Sequence, residues 1–321
     1  MRLVKNIIAR VSYRQLKTLI FLLKSGVSLR YVYSEMARFF RNLTQDFTSW
    51  EPSSEVEIPG IRFEESQYDS VAYFIHLFHE EYLVNIEQFL LEGPRIDFYI
   101  TTPKPKLLEQ LHVLKTQHLN LREIRLSENR GRNIGPFLVE FSGTALKYKY
   151  MIHLHSKRSN HMTVKAGKKW AEESWNFFRP KSMTLESALK IMSSQNLFST
   201  CFTIDLQVTP PSSFTWGQNR QFALSRFPGW NLPEQNERFS FPAGGMFMAS
   251  SADMSKVLSA KWTYEDFPEE KGQLDGTLQH AIERLFGLAG TAENTENLIF
   301  HVNSSSFTKD KSFLNYSNRI F

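Results

Sequence analysis

From Tyr68 onward, short apolar runs alternate with helical patterns at a regular interval, and this rhythm restricts the fold more than any other feature. Val71–Leu77 (VAYFIHL), Ile96–Thr101 (IDFYIT), Leu121–Leu126 and Tyr150–His155 (YMIHLH) read as strands that begin 25 to 29 residues apart. Between them Glu80–Leu91, Leu107–Thr116 and Ile134–Leu146 have helical periodicity. Strand–helix–strand units of this length predict an α/β fold with a mostly parallel, Rossmann-like central sheet. Such sheets bind ligands at the carboxyl ends of their strands. The chemistry is therefore expected just after Leu77, Thr101, Leu126 and His155.

The chain has 321 residues, with 38 Lys and Arg against 33 Asp and Glu, a net charge of +5. A composition that is 41% hydrophobic and 22% charged excludes wholesale disorder. The positive surplus is local. Residues 1–47 hold nine basic side chains and two acidic ones, so this arm carries +7 and the remainder −2. A nucleic-acid binder is expected to carry a basic stripe through its folded body, and this body is slightly acidic, which argues against nucleic acid as a partner. The single cysteine, Cys201, rules out an intramolecular disulfide and a cage of cysteine ligands around zinc. It fits a reducing compartment.

Residues 3–24 read as an amphipathic helix. Ile8, Val11, Leu16, Leu19, Leu22 and Leu23 share one face at about 100° per residue, and Arg10, Arg14, Lys17 and Lys24 cluster on the other. The unbroken apolar run Leu19–Leu23 is far short of the roughly 20 residues a bilayer span needs. Lys17 and Lys24 bracket it and no small-residue cleavage site follows, so it fits a signal peptide poorly. A basic amphipathic helix suits an anionic membrane surface, or equally a packed position on the body or on a partner. Leu29–Leu43 continues the helical arm and Ser49–Gly60 is the linker. The expected organisation is an α-helical N-terminal arm and linker over 1–60, a main domain over 61–300 and a tail over 301–321.

Two strand-end segments and two further stretches are chemically unusual. After the third strand comes Asn129-Arg130-Gly131-Arg132-Asn133, directly before a helix with Pro136 in its first turn. Forked Arg donors, a glycine and free helix N–H groups suit a phosphate or diphosphate. The plainer reading is an Asn-capped helix with Arg side chains in solvent. The fourth strand ends His153-Leu154-His155-Ser156-Lys157, where alternation puts His153 and His155 on one face of the sheet. These residues can cradle a diphosphate, ligate a metal or serve structure, although no third metal ligand stands nearby. Further on, Phe241-Pro242-Ala243-Gly244-Gly245 couples a glycine turn to an apolar strand, which suggests close backbone approach to a ligand. Gly272–Thr277 then leads into a helix over Leu278–Leu288. There Asp275 is placed either as the helix N-cap or as a general base. Glu283 and Arg284, adjacent on that helix, are not expected to pair with each other.

Taken together, NRGRNIGPFL (129–138), YKYMIHLHSKRS (148–159), FPAGGMFMAS (241–250) and GQLDGTLQHAIERLFGLAG (272–290) resemble the rhamnan synthesis protein F family of bacterial polysaccharide glycosyltransferases. The resemblance runs from about Val71 to Gly290. It implies a GT-A-type fold and transfer of a sugar, typically rhamnose, from a nucleotide-sugar donor to a growing cell-surface glycan on a lipid carrier. Single displacement with inversion is the implied mechanism. Asn129, Arg130, Gly131, Arg132 and Asn133 would then contact the donor, and His153, His155 and Lys157 its leaving diphosphate. Asp275 would take the acceptor proton, with Gly244 and Gly245 on the acceptor side. Metal-dependent GT-A enzymes hold magnesium or manganese through a D-x-D triplet, which this sequence lacks, so metal dependence stays open and no metal ligand is assigned. The implied setting is the cytoplasm, peripheral at the inner face of the bacterial cytoplasmic membrane, beside other polysaccharide-assembly proteins. The competing reading is a non-catalytic module that binds carbohydrate or nucleotide sugar.

Overall fold

In the computed structural model, the residues described are 55–60, 64–156, 164–195, 197–205, 213–273, 275–290, 295–302 and 304–310. The expected helical arm and Lys157 lie outside them. The elements run β1 (Val71–His76), α1 (Leu83–Glu92), β2 (Asp97–Thr102), α2 (Pro105–Gln117), β3 (Leu121–Leu126), α3 (Ile134–Ala145) and β4 (Tyr150–His155). The chain continues through α4 (Val164–Phe177), α5 (Met183–Ser194), β5 (Phe198–Ile204), α6 (Arg220–Arg226), β6 (Phe247–Ser250) and α7 (Ser255–Leu258). It ends in α8 (Leu278–Leu285), β7 (Glu296–His301) and β8 (Ser306–Asp310). The four strands expected from the rhythm are present within a residue of their predicted bounds.

The strands form one eight-stranded sheet in the order β3-β2-β1-β4-β6-β5-β7-β8. β3, β2, β1 and β4 are mutually parallel, as are β5 and β7, while β6 and β8 run antiparallel to their neighbours. The α/β, mostly parallel reading is therefore correct. The sheet also extends into the segment expected as a tail, because β8 pairs with β7 from Ser306 to Asp310. Glu55 bridges Thr308 and the Val56 N–H donates to the Phe307 carbonyl, so residues 55–56 cover part of an otherwise open edge.

β1 and β4 read as continuous apolar runs because both faces of the sheet are covered there, and all their residues are buried. Tyr73 stacks on Phe98 and meets Phe89 of α1 edge-on. On the opposite face Phe74 packs against Tyr99 and against Phe137 and Phe141 of α3. Each such fully buried ring contributes about 1.5–3 kcal/mol relative to exposure. The strand order reverses direction between β1 and β4, which places a topological switch point at their carboxyl ends. There the Ser156 hydroxyl accepts the Phe78 and His79 N–H groups at 2.7 and 3.0 Å and joins the two strand-end loops.

Candidate functional site

The loop between β3 and α3 takes a left-handed backbone at Gly131 (φ 69°) and Arg132 (φ 56°). A side chain at Gly131 would meet the Phe267 ring at 2.7 Å and the Gly135 Cα at 2.9 Å. The close approach that glycine permits here is therefore to the protein itself. Arg130 Nε donates to the Phe267 carbonyl at 2.9 Å. Arg132 pairs with Glu270 at 3.3 Å and donates to the Gln273 carbonyl. Neither arginine simply faces solvent, and both tie the loop to residues 267–273. Asn129 remains exposed at the tip. Asn133 holds the N-cap position of α3 but makes no capping bond, its side-chain amide nitrogen being buried without a partner next to Gly245.

His153 and His155 do share a face, as alternation requires, with ring centroids 6.4 Å apart. Both are buried, and their rings engage the glycine turn. His153 Nδ1 lies 2.6 Å from the Gly245 carbonyl and His155 Nε2 lies 2.6 Å from the Gly244 carbonyl, so each of these nitrogens carries the proton and donates. Burial lowers the His153 pKa to about 4 against the opposing pull of the Gly245 and Asn133 carbonyls. A neutral, fully buried imidazole supplies no positive charge at neutral pH, so His153 would not meet a diphosphate as a cation. The two histidines instead fix the turn at Gly244 (φ 91°) and Gly245 (φ 74°).

A third histidine joins them. His76 on β1 is in register with His155, and its Nδ1 is 2.9 Å from Thr101 Oγ1. Burial, with the nearby His153 and His79, lowers its pKa to about 3. For His76 and His153 the folded pKa lies below the unfolded 6.5, so the unfolded chain binds more protons in between. Their contribution to stability is complete above pH 6.5 and is lost as pH falls from 6.5 toward 4 and 3. At pH 5 the loss is on the order of 2 kcal/mol for each histidine. Thermal unfolding should accordingly show a midpoint roughly 10 °C lower at pH 5 than at pH 7. That fall should shrink in His153→Gln, and a midpoint independent of pH would contradict the buried neutral state.

Asp275 is not a helix cap. Thr277 holds the N-cap position of α8, and its hydroxyl is 2.7 Å from His280 Nδ1. Helical geometry begins too late for Asp275 to reach the first turn. Its carboxylate instead accepts from the Asn219 side-chain amide and from the Gln218 N–H at 3.0 Å, and it forms an ion pair with Arg284 Nη2 at 3.5 Å. Gly217 (φ 57°) is required beside it, because a Cβ there would lie 2.4 Å from Asp275 Oδ2. Burial pushes the Asp275 pKa up, but Arg284, Asn219 and the Gln218 N–H outweigh it, and the net value falls below the usual 3.8. The group is ionised at neutral pH.

Arg284 and Glu283 do pair, contrary to expectation, at 3.5 Å between Nη1 and Glu283 Oε2. Adjacent helical residues diverge at Cβ, but the long Arg284 side chain turns back along the helix and donates to the His280 carbonyl at 2.8 Å. Glu283 Oε1 accepts the Gly244 N–H at 2.6 Å. A continuous line of polar contacts thus runs from His155 through Gly244, Glu283 and Arg284 to Asp275 and Asn219. It brings His153, His155, Gly244, Gly245 and Asn133 together, and it connects them to Asp275. The sequence gives no sign of Asn219, and it shows Glu283 and Arg284 on their helix without a role in the site. Their only local signal is that Arg284 shares a helix face with His280 four residues earlier.

Among the described residues, no three His, Cys, Asp or Glu side chains gather as a metal site would require. A divalent magnesium or manganese ion prefers carboxylate and water oxygens, whereas this strand end offers imidazoles already bonded to glycine carbonyls. The donor set does not fit such an ion. Among the same residues, no helix is long and apolar enough to cross a membrane.

The fold and this constellation define an α/β protein with its polar groups at the strand ends beside a topological switch point. Residues 56–194 match the family model described as rhamnan synthesis protein F. That span takes in the Asn129–Asn133 loop, His153 and His155, and ends before Gly244 and Asp275. The chain is also similar to two proteins of Xanthomonas campestris pv. campestris, from strain B100 and from a second strain, each called uncharacterized protein WxcX. Each is 28% identical over 232 residues, 69% of this chain and 31% of the relative. The chain therefore spans about a third of the length of these relatives.

Proposed function

We propose that the chain is a glycosyltransferase of polysaccharide synthesis, moving a sugar, with rhamnose the first candidate, from a nucleotide-sugar donor to a cell-surface glycan acceptor. The observation that carries this reading is the Asp275 carboxylate. It is ionised, its side chain is 24% exposed, and two hydrogen bonds with one ion pair leave part of its roughly four acceptor positions open. An open position is where an acceptor hydroxyl would donate. As the hydroxyl oxygen bonds to the anomeric carbon, its proton passes to Asp275. The bond from that carbon to the donor diphosphate breaks, the diphosphate leaves with the electron pair, and the anomeric configuration inverts. The part of Arg130 not used on Phe267, the N–H groups at the start of α3, and Lys157 would stabilise the departing diphosphate.

The depressed pKa of Asp275 favours a second reading, because a weakly basic carboxylate held by three partners also suits a rigid, non-catalytic binding module. The deciding experiment incubates the full chain with a panel of nucleotide sugars and an oligorhamnose acceptor, with and without added manganese. Mass gained by the acceptor in steps of one sugar supports transfer. Binding of nucleotide or glycan with no gain from any donor would establish the module instead. The basic arm would hold the enzyme at the inner membrane face, and removal of residues 1–47 should then release it from membrane pellets with nucleotide binding intact. A truncated chain that still sediments would remove that role.

A further inference from the structure

A buried cation flanked by two carboxylates is an uncommon arrangement, because each charge loses solvation and must be repaid by its neighbours. Arg284 is such a group, with 7% of its side chain exposed. Its Nε donates to the Thr215 carbonyl at 2.9 Å and its Nη1 to the His280 carbonyl, while its guanidinium carbon lies 4.9 Å from the Phe241 ring centroid. These contacts leave the guanidinium a single orientation, with Nη1 toward Glu283 and Nη2 toward Asp275. The two carboxylates are not equivalent. Glu283 turns to the Gly244 N–H, and Asp275 is the more exposed. Arg284 thus lies between two carboxylates that differ in exposure and in hydrogen bonding.

We propose that Arg284 is the positioning residue of Asp275, and that Glu283, by neutralising Arg284 while holding the Gly244 N–H, fixes the distance between the glycine turn and the proposed base. This rests on the reading of Asp275 as the proton acceptor. The groups facing Asp275 are Arg284 and His280 from α8 and Gln218 and Asn219 from the segment leading into α6; among these Arg284 is the permanent charge. Taking it away therefore removes the main electrostatic reason for Asp275 to ionise at low pH. Activity that needs ionised Asp275 would then lose its acid limb at a higher pH than before. At neutral pH Asp275 would still be ionised, so any loss there would come from misplacement.

The test follows the Asp275 carboxyl carbon by NMR in full-length protein labelled with carbon-13 aspartate, the signal being assigned by its disappearance in Asp275→Asn. In Arg284→Gln the Asp275 titration midpoint should move up, and in Arg284→Lys it should stay near that of the unmodified protein. Arg284→Gln takes the Arg284 partner from the partly buried Glu283 and is at risk of unfolding. The double variant Glu283→Gln with Arg284→Gln avoids this and should show the same upward movement. Transfer at neutral pH should fall on the order of a hundredfold in Arg284→Gln, the scale of a small misplacement of a reacting group. A midpoint unmoved in a folded Arg284→Gln or double variant would overturn the proposal, as would loss of fold in Arg284→Lys, since Arg284 would then serve packing alone. The titration needs no substrate, so the two readings fail separately. A moved midpoint in a protein that transfers no sugar sinks the glycosyltransferase reading, and transfer with an unmoved midpoint sinks the positioning role.

Discussion

Asp275→Asn should reduce sugar transfer by about 10²- to 10⁴-fold, the range that removal of a positioned general base produces, while nucleotide-sugar binding persists. The substitution preserves shape but not hydrogen-bonding sense. The carboxylate faces donors on both oxygens, from Asn219 and Arg284 on Oδ1 and from the Gln218 N–H on Oδ2. An amide can offer its oxygen to only one side, and its NH₂ then confronts a donor on the other. The expected penalty is about 1–3 kcal/mol of stability, typical of a buried group left unsatisfied. Arg284 still keeps Glu283 as a partner, so the fold should survive. Turnover and unfolding midpoint must be measured together, since a folded variant that retains full turnover would exclude Asp275 as the base.

Gly131→Ala should destabilise the protein by about 3 kcal/mol and lower its unfolding midpoint by several degrees. Two effects combine. An L-residue at φ 69° adopts a left-handed backbone that costs roughly 1–2 kcal/mol. The new methyl must also displace the Phe267 ring, which is fully buried. Because Arg130 and Arg132 are anchored to residues 267–273, movement of Phe267 would carry the whole β3–α3 loop with it. Donor affinity should fall along with stability. Calorimetry on Gly131→Ala checks the first effect, and an unchanged midpoint would mean that the loop is less tightly seated on Phe267 than its geometry implies.

The parts of the fold legible in sequence are those set by local pattern. The continuous apolar runs of β1 and β4 reflect a sheet covered on both faces, and the period change between runs marks the helices. Little between residues 156 and 241 was readable in this way. β5 (FSTCFTI) interleaves Ser and Thr with apolar residues although every one of its positions is buried. Its Thr200 hydroxyl is satisfied by the Phe286 carbonyl 86 residues away, and no local pattern announces such a partner. Nor does the rhythm reveal that β6 inserts antiparallel between β4 and β5.

The candidate site divides in the same manner. Alternation correctly put His153 and His155 on one face, and the residue types pointed to a polar strand end. What those side chains touch was read differently. His153 reaches Gly245 across 92 residues, Asp275 is held by Asn219 across 56, and Arg132 by Gln273 across 141. Of the glycines that suggested close approach to a ligand, Gly131 lies against Phe267 and Gly245 against Asn133. The sequence by itself determined the α/β class, the shared face of His153 and His155, and the confinement of surplus positive charge to the first 47 residues. Only the tertiary structure decided which polar groups are neutral, which are paired, and that Arg284 joins the glycine turn to Asp275. The physical reason is range. Periodicity is written between neighbours along the chain, whereas the partner and protonation state of a buried polar group depend on residues that folding alone brings within about 3 Å.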